Sequence, residues 1–341
     1  MREVNWGIIG LGKIASKFAE GFKFVNNAKL KGIASKNPKK IESFESSFNI
    51  DNKYSFNNYD DIIKCDQIDI IYIALPNSFH KELIIKCIKN NKKILVEKPA
   101  TLNFTEIDEI KKNYNLEDIF FAEAFMYRYH PQILKVIEMI KEKVIGDITL
   151  MKTNFGKDIL TKKSFFGFNR LKKLDKKNRL FSKELGGGAI LDLGCYPVSF
   201  SILIASLISG IEINKFKILN KKKNIGTTGV DLDSYAELKF ENSFSSHMGA
   251  SFTKNLGKKS EIIGTKGTLI IKDTWHGNPS QIILKNQKNQ EIVIEDKKNI
   301  YSYQISCLSR DILDGKKKPD FPGMTFDDSL INMRIIQEWL K

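Results

Sequence analysis

Cysteine is scarce in this chain of 341 residues, and its copies form no pattern. The four cysteines are far apart and include no Cys-x-x-Cys pair; they are Cys65, Cys87, Cys195 and Cys307. Structural zinc sites and disulfide frameworks both depend on characteristic cysteine spacings. We therefore expect neither, and the composition fits a cytoplasmic protein.

Histidine is equally scarce. The chain has four histidines, and none is spaced from another as metal ligands usually are: His80, His130, His247 and His276. No metal is expected. His80 and His130 could reach a ligand, but a hydrogen-bonded structural role is an equal alternative for each.

Long unbroken hydrophobic runs are missing as well. The longest, residues 189–208, approaches the length of a bilayer span. Asp192, Tyr196 and Pro197 interrupt it, so we expect no membrane segment. The first three residues include an acid and lead into a strand-like segment, so no signal peptide is expected either.

Acidic residues are outnumbered, with 40 Asp and Glu against 55 Lys and Arg, which leaves a net charge of +15. The lysines are spread along the whole chain. Only residues 221–223 and 316–318 are lysine runs, and both are expected in turns. Without a recognised binding motif, the charge does not predict a nucleic-acid partner, although a basic face stays an alternative.

A glycine pattern stands near the start of the chain. Gly10-Leu11-Gly12-Lys13-Ile14-Ala15 follows an apolar strand at 4–9 and opens a helix to about residue 24. In this pattern the first glycine makes the turn and the second admits a pyrophosphate. The small third residue lets the helix pack on the strand. Amide groups at the helix start bind the anion. The alternative is a tight turn without a ligand.

The end of the second predicted strand, residues 28–34, indicates the cofactor type. NAD sites usually carry an acidic residue there for the ribose hydroxyls. This chain has Ser35-Lys36, and a hydroxyl with an ammonium suits a 2′-phosphate. The pattern favours NADP over NAD; solvated lysines in a lysine-rich chain are the alternative.

Further parallel strands are predicted at 68–75, 94–96 and 119–122, alternating with helices. Ser78 could cap the helix that follows the first of these. The second ends in Glu97-Lys98-Pro99. Ligands gather at the carboxyl ends of such strands, so these segments should line a cofactor site.

The stretch 186–198 is the candidate for the chemistry. Three glycines, Gly186 to Gly188, precede an apolar helix that carries Asp192 and Tyr196 four residues apart, on one face. Pro197 should kink a helix that starts at the glycines. The alternative is a buried helix whose Asp and Tyr bond each other. From residue 213 onward, alternating segments predict an antiparallel sheet with one exposed face, and two helices close the chain.

These motifs occur together and in order, with Glu123 to Pro131, Gly264 to Thr268 and Asp327-Asp328-Ser329. The chain resembles the glucose-fructose oxidoreductase / inositol dehydrogenase / MocA (Gfo/Idh/MocA) family over essentially its whole length. Within the family it is most similar to the branch of dimeric dihydrodiol dehydrogenase and NADP-linked xylose dehydrogenase.

The resemblance implies an α/β fold: an N-terminal Rossmann domain with a doubly wound parallel sheet, then a C-terminal α/β domain with a large, mostly antiparallel open sheet. The expected boundary gives an NAD(P)-binding domain over 1–122 and a substrate-binding and oligomerisation domain over 123–341. Relatives pair through the second sheet, so a homodimer or tetramer is expected.

The implied reaction is hydride transfer between a nicotinamide and a carbinol or ketone carbon of a sugar or sugar derivative. Three residues match the family's catalytic positions: Lys98, Asp192 and Tyr196. Many relatives have histidine where this chain has Tyr196. A free phenol titrates near pH 10, and a nearby ammonium such as Lys98 would lower its pKa.

The remaining expected site residues fall into two sets. The expected cofactor-binding residues are Gly10, Gly12, Lys13, Ile14, Ala15, Ser35, Lys36, Leu75, Pro76, Asn77, His80, Glu97 and Lys98. The expected substrate residues are Tyr127, Arg128, Phe155, Asp192 and Tyr196. A non-catalytic dinucleotide-binding sensor on the same fold is the alternative function. Substrate identity and reaction direction stay open.

Overall fold

The computed structural model describes residues 2–163, 169–241, 244–287, 289–296 and 298–341. Along the first 130 residues the strands and helices are β1 (Val4–Ile9), α1 (Lys13–Glu20), β2 (Ala28–Ala34), α2 (Pro38–Phe48), β3 (Ser55–Phe56), α3 (Tyr59–Lys64), β4 (Ile70–Ile73), α4 (His80–Lys89), β5 (Lys93–Val96), α5 (Phe104–Asn113) and β6 (Phe121–Glu123).

The rest of the chain has two helices, ten strands and two closing helices in its described part. They are α6 (Pro131–Lys141), β7 (Ile148–Gly156), β8 (Thr161–Lys163), β9 (Asn169–Leu171), α7 (Cys195–Ala205), β10 (Phe216–Ile225), β11 (Asp231–Phe240), β12 (Ser245–Ser251), β13 (Ser260–Gly264), β14 (Gly267–Ile271), β15 (Gln281–Lys285), β16 (Gln290–Val293), α8 (Ile300–Leu313) and α9 (Phe326–Leu340).

The chain forms two compact units that cut the sequence differently from the expected boundary. Residues 1–130 and 297–330 form the first unit, and residues 131–296 and 331–341 form the second. Helix α8 thus belongs with the N-terminal sheet, where Trp6 Nε1 donates to Ser309 Oγ at 2.9 Å. The functional division at residue 122 stays a prediction.

The first unit contains a six-stranded sheet in the order β3-β2-β1-β4-β5-β6, with all pairs parallel. Every residue of β4 is buried, as expected for a strand with helices on both faces. An aromatic cluster fills the core beside β1. The ring centroids of Trp6 and Phe18 lie 5.6 Å apart, and those of Phe18 and Tyr72 lie 4.1 Å apart. The expected doubly wound Rossmann sheet is confirmed.

The second unit contains an eight-stranded sheet in the order β10-β11-β12-β7-β13-β14-β15-β16. Its pairs are antiparallel except β12 with β7. The mostly antiparallel sheet expected from the sequence is therefore confirmed. All eleven residues of α7 are buried. The stretch Lys183–Ala205 is apolar and long enough to cross a membrane, but 89% of its most apolar window is buried inside the protein.

Three local expectations are corrected. The lysines at 221–223 lie in β10, an edge strand, and not in a turn; charged side chains on such an edge discourage strand addition. Ser78 does not cap α4, whose N-cap is Phe79 with no side-chain hydrogen bond among the described residues. The alternating strands expected from residue 213 onward begin later, at Phe216 of β10, and Ser243 within that range lies outside the described residues.

Candidate active site

The expected cofactor residues follow neighbouring strands of the first unit, at one edge of its sheet. Backbone hydrogen bonds align these strand ends: Gly10 N donates to Ala34 O at 3.0 Å, and Ala74 N to Ile9 O at 2.8 Å. Glu97 N donates to Ile73 O at 3.0 Å. The structure therefore gathers the glycine turn, the end of β2, and the segments after β4 and β5 along one edge. Such an edge is where open parallel sheets bind ligands.

The glycine turn has the shape a dinucleotide needs. Gly10 has φ +92°, and a Cβ there would lie 2.7 Å from Ala74 O, so only glycine fits. A Cβ on Gly12 would meet no described atom within 4 Å, which leaves the helix start open. Ala15 is buried where α1 packs on the sheet. The turn fits a pyrophosphate at the first amides of α1.

The start of α1 also differs chemically from other helix starts in the chain. Asparagine side chains accept hydrogen bonds from the first turns of four helices, α2, α3, α5 and α8. At α1 the N-cap is Gly12, with no side-chain cap and no acidic residue in the first turn among the described residues. No side chain therefore competes with an anion for these N–H groups.

Ser35 and Lys36 lie directly after β2. The Ser35 hydroxyl accepts from Asn37 N at 3.1 Å, so it shapes the turn. Lys36 is exposed, and its Nζ lies 5.5 Å from the centroid of the Tyr59 ring. Burial raises the pKa of the Tyr59 phenol, so this ring stays neutral and does not cancel the lysine charge. The pair fits a 2′-phosphate.

His80 is fully buried between two of the strand-end segments. Its Nδ1 lies 3.1 Å from Pro99 O, and its Nε2 lies 2.8 Å from Leu75 O. Burial lowers the pKa of the imidazole to about 4, so the ring is neutral near pH 7. This geometry fits the alternative of a hydrogen-bonded structural histidine, because His80 joins the segments around Leu75 and Lys98. Direct contact with the cofactor stays a prediction.

Glu123 stands in a sequence motif, but no role was predicted for its side chain. Its Oε1 accepts from Ala100 N at 2.9 Å, two residues after Lys98, and its carboxyl group also bonds Ser329. Burial raises the pKa of Glu123 to about 7, although these hydrogen bonds and Arg128 oppose the shift. Glu123 thus anchors the segment that carries Lys98. The sequence contains no local signal for this contact, which joins residues 23 apart.

Two expected substrate residues are buried. Tyr127 has no exposed surface, and Arg128 is 2% exposed. The Arg128 guanidinium donates to Pro322 O at 3.1 Å. His130 is also buried, and its ring meets Tyr303 edge-on at 5.6 Å. These residues lie in the interior of the first unit, and a substrate role for Tyr127 and Arg128 stays a prediction.

In the second unit, the glycine stretch leads into a π-helical turn over Ile190–Gly194, and α7 follows at once. The irregularity expected at Pro197 takes this form: Pro197 lies in the first turn of α7, where a missing N–H is tolerated. Asp192 lies in the π-turn, and its Oδ1 is 3.3 Å from both terminal nitrogens of Arg179. Turns of this kind recur at functional sites.

Tyr196 is held in an aromatic cluster. Its ring meets Phe155 nearly at right angles at 5.2 Å and meets Trp275 at 5.5 Å. Phe155 in turn stacks on Trp275 at 5.7 Å, and Trp275 Nε1 donates to Asn154 O at 3.0 Å. The structure therefore brings Phe155 of β7 against Tyr196 of α7, and Asp192 lies in the π-helical turn directly before α7. Such packing leaves the Tyr196 ring little freedom.

Trp275 and His276 were not identified from the sequence. The Asp273 carboxylate accepts the backbone N–H groups of both, at 3.1 and 3.0 Å, and pairs with Lys258 at 2.9 Å. Burial alone would raise the pKa of Asp273, but hydrogen bonds from His276 and Lys258 hold it below its usual range. His276 is exposed and lies edge-on to Phe155 at 6.0 Å. An Asp shortly before an aromatic residue was the available signal for this turn.

Other chemistry finds little support in the described ranges. No group of three or more His, Cys, Asp or Glu side chains is placed to hold a metal ion in the part of the chain that the structure describes. All four cysteines lie in that part, and each is a free thiol.

A parallel sheet in this strand order, with an open glycine turn at the start of α1, defines a dinucleotide-binding protein of the Rossmann class. The chain belongs to the Gfo/Idh/MocA oxidoreductase family. Residues 4–118 match the family's NAD-binding Rossmann fold, and residues 133–270 match a Gfo/Idh/MocA C-terminal domain. It is an NAD(P)-dependent oxidoreductase.

Similar proteins span nearly the whole chain. Trans-1,2-dihydrobenzene-1,2-diol dehydrogenase of Xenopus tropicalis is 27% identical over 99% of this chain and 97% of its own. The mouse enzyme of that name is 25% identical over 84% and 79%. Aldose-aldose oxidoreductase from Caulobacter crescentus, solved with glycerol, superposes with a TM-score of 0.84 at 19% identity, covering 99% and 96%. A 3-ketoreductase from Actinomadura kijaniata, solved with NADP and TDP-benzene, gives 0.79 at 20% identity, covering 98% and 96%.

Proposed function

We propose that this protein transfers a hydride between NADP and a carbinol or ketone carbon of a sugar or sugar derivative. Lys98, Asp192 and Tyr196 carry the reaction. The supporting observation is the fixed Tyr196 ring, held by Phe155 and Trp275 on the segment that also presents Asp192.

The cofactor, when bound, supplies or accepts the hydride at its nicotinamide ring. The Tyr196 phenol donates a proton to the substrate oxygen in reduction and accepts it in oxidation. Asp192 binds a substrate hydroxyl or orients the phenol. Arg179 pairs with Asp192 at 3.3 Å and places a positive charge beside that carboxylate. Lys98 favours the phenolate and bonds the ribose and the substrate oxygen.

The proposed NADP preference is supported by the exposed Lys36 ammonium and by the serine, rather than an acidic residue, at the end of β2. Proteins similar in fold have been solved with NADP. The proposed set of binding residues at the sheet edge includes Gly10, Gly12 and Lys98.

The names of similar proteins support the substrate class. The substrates in these names are a non-aromatic cyclic diol, aldoses and a ketone, so a carbinol or carbonyl carbon is common to them. Phe155, which is partly exposed and stacks on the buried Trp275, provides an aromatic surface suited to the apolar face of a sugar ring. We further propose that the protein is cytoplasmic and that it forms a homodimer or tetramer through the eight-stranded sheet, which light scattering at micromolar concentration would test.

The test begins with a screen of aldoses, polyols, diols and sugar-nucleotide ketones against NADP and NAD, read by reduced-nicotinamide absorbance. On the best substrate, Tyr196→Phe should lower turnover by about a hundredfold or more, the scale of a lost acid/base group. Lys98→Met should also lower turnover. The double variant should lose less than the product of the two losses, because the residues act as a unit.

Two matched controls accompany these variants. Tyr235→Phe removes a phenol elsewhere in the second unit, and Lys93→Met removes an ammonium at the other end of β5. Both should keep near-normal turnover. Normal turnover in Tyr196→Phe would transfer the acid/base role to another group, and His276 is then the exposed candidate beside Phe155. Normal turnover in both Tyr196→Phe and Lys98→Met would overturn the assignment.

A further inference from the structure

Asp231 is a buried carboxylate at the start of β11, and it faces the segment that carries Asp192 and Tyr196. It is 4% exposed. Its Oδ2 accepts from Ile190 N at 2.7 Å, and the backbone of Ala189 also donates to the carboxylate. These N–H groups belong to the first turn after the glycines, which has no helical partner for them. Asp231 therefore caps this segment from a strand 41 residues away.

Gly188 makes room for that carboxylate. Its φ is +116°, and a Cβ there would lie 2.4 Å from Asp231 Oδ1. Any side chain at this position would displace the carboxylate or move the turn. The third glycine of the triplet thus serves an internal contact.

The capped segment leads directly to the proposed catalytic residues. Asp192 N donates to Gly188 O at 3.0 Å, so Asp192 lies one turn after the capped groups. Tyr196 lies one further turn along, at the start of α7. A shift at Ala189 or Ile190 is passed on to both side chains because continuous helical turns are rigid.

Keeping a carboxylate buried opposes its ionisation: burial raises the pKa of Asp231 to about 6, although hydrogen bonds from Ile190 and Ala189 and the charge of Lys223 oppose the shift. A neutral side chain would avoid that desolvation. The Asp231 carboxylate is therefore better explained by its hydrogen bonds to Ile190 and Ala189 than by a contribution to stability alone.

We propose that Asp231 is a positioning residue for the reaction: through its bonds to Ile190 and Ala189 it sets the positions of Asp192 and Tyr196. The inference rests on the proposed function, in which those two residues meet the substrate. Asp231 itself touches no substrate.

The experiment compares two independent disruptions with a control on the same strand. Asp231→Asn weakens the acceptor, and Gly188→Ala displaces it. Asp233→Asn removes another buried carboxylate of β11, which bonds Ser251 and Thr253 and not the glycine segment. Turnover, KM for the substrate, NADP dissociation constant and unfolding midpoint are measured for each. Amide hydrogen exchange over residues 189–196 reports how firmly the N–H groups of this segment are held in their hydrogen bonds.

We expect Asp231→Asn and Gly188→Ala to lower turnover at least tenfold, with unchanged NADP affinity and faster exchange over 189–196. Asp231→Ala should lose more turnover than Asp231→Asn, because the amide oxygen can still accept from Ile190 N. Asp233→Asn should keep near-normal turnover even where its unfolding midpoint falls. This separation of turnover from stability is what a merely structural role would not produce.

Normal turnover in folded Asp231→Asn and Gly188→Ala would overturn the inference, as would an equal loss in Asp233→Asn. Failure of the proposed function is a separate result: Tyr196→Phe then retains turnover. In that case the exchange measurement still decides whether Asp231 holds the segment. Unchanged exchange in Asp231→Asn contradicts the inference whatever the activity.

Discussion

Each compact unit contains a glycine-rich turn that leads into a helical segment, and the two turns differ in what meets the N-terminal amides. In the first unit the space beyond Gly12 is open among the described atoms, and no side chain caps α1. In the second unit the corresponding space at Gly188 is filled by the Asp231 carboxylate. The turn at Gly12 is open to an anion from solution, whereas the turn at Gly188 is already occupied by a carboxylate of the protein itself.

The difference shows that a glycine motif indicates where the backbone needs space around it. The motif does not indicate whether a ligand or a side chain of the protein fills that space. Both turns contain a glycine at positive φ, Gly10 and Gly188, whose Cβ would meet another part of the chain. Of Gly10, Gly12 and Gly188, Gly12 is the one whose Cβ would meet no described atom within 4 Å. A motif of glycines therefore needs its tertiary neighbours before it can be assigned to a ligand.

A charged side chain at Gly12, in the open turn, should have the largest effect on NADP affinity. In Gly12→Asp the new carboxylate would cap α1 but oppose the pyrophosphate; like charges 4 Å apart repel by about 4 kcal/mol at an effective dielectric of 20. We expect NADP affinity to fall at least a hundredfold, while the unfolding midpoint stays equal or rises because Asp is a favourable N-cap. Fluorescence quenching and thermal unfolding measure the two quantities.

Gly12→Ala is the control for that prediction, since a methyl group there meets no described atom within 4 Å and adds no charge. It should bind NADP far better than Gly12→Asp. Equal affinities in the two variants would show that the turn does not bind an anion.

A smaller effect on cofactor affinity is expected at Lys36, and it identifies which dinucleotide binds at the open turn. Lys36→Glu should weaken NADP about tenfold, the scale of one lost charged hydrogen bond, and leave NAD nearly unchanged. Lys31→Glu is a matched control, because Lys31 also lies over a tyrosine ring, Tyr54, but in the middle of β2. If both cofactors weaken alike in Lys36→Glu, the 2′-phosphate assignment is wrong.

The smallest expected effect concerns the filled turn and pH. Burial raises the pKa of Asp231 from 3.8 to about 6, so its folded form retains a proton that the unfolded form releases. The stability from this group is fully present below pH 3.8 and is lost as pH rises through about 6. The unfolding midpoint of Asp231→Asn relative to the natural chain should therefore rise between pH 5 and 7.5, by on the order of a few °C.

Asp233 provides the opposite case. Burial alone would raise its pKa, but hydrogen bonds from Ser251, Thr253 and Asn224 hold the pKa below 3.8. Its stability contribution is present above pH 3.8 and lost only as pH falls below that value. The midpoint difference for Asp233→Asn should thus be flat from pH 5 to 7.5. Parallel curves for the two variants would contradict the assignment of a raised pKa to Asp231.

Local patterns predicted most elements closely. The strand at 28–34 has the expected bounds, and the cap Asn37-Pro38 marks in the sequence where the next helix begins. The lysine run at 221–223 was wrongly expected in a turn, since an edge strand can be nearly all polar. A strand of that kind lacks the alternation of apolar and polar residues by which strands are predicted from sequence.

The site divides in the same way. Gly10, Gly12 and the Asp192–Tyr196 spacing are local signals, and their elements are where the patterns predicted. Exposure was harder to predict: Tyr127 and Arg128 stand in a motif but are buried, because tertiary packing and not sequence decides which side of a turn meets solvent. The catalytic and binding roles of the expected residues stay predictions.

The sequence by itself determined where the glycine turns, strand ends and helix faces lie, and therefore the family and the class of reaction, because backbone conformation and hydrophobic period act over a few residues. The tertiary structure alone decided which groups meet. Asp231 reaches Ile190 across 41 residues, Glu123 reaches Ala100 across 23, and Trp275 reaches Asn154 across 121. No local pattern encodes such contacts, since they depend on strand order and register that only the folded chain establishes.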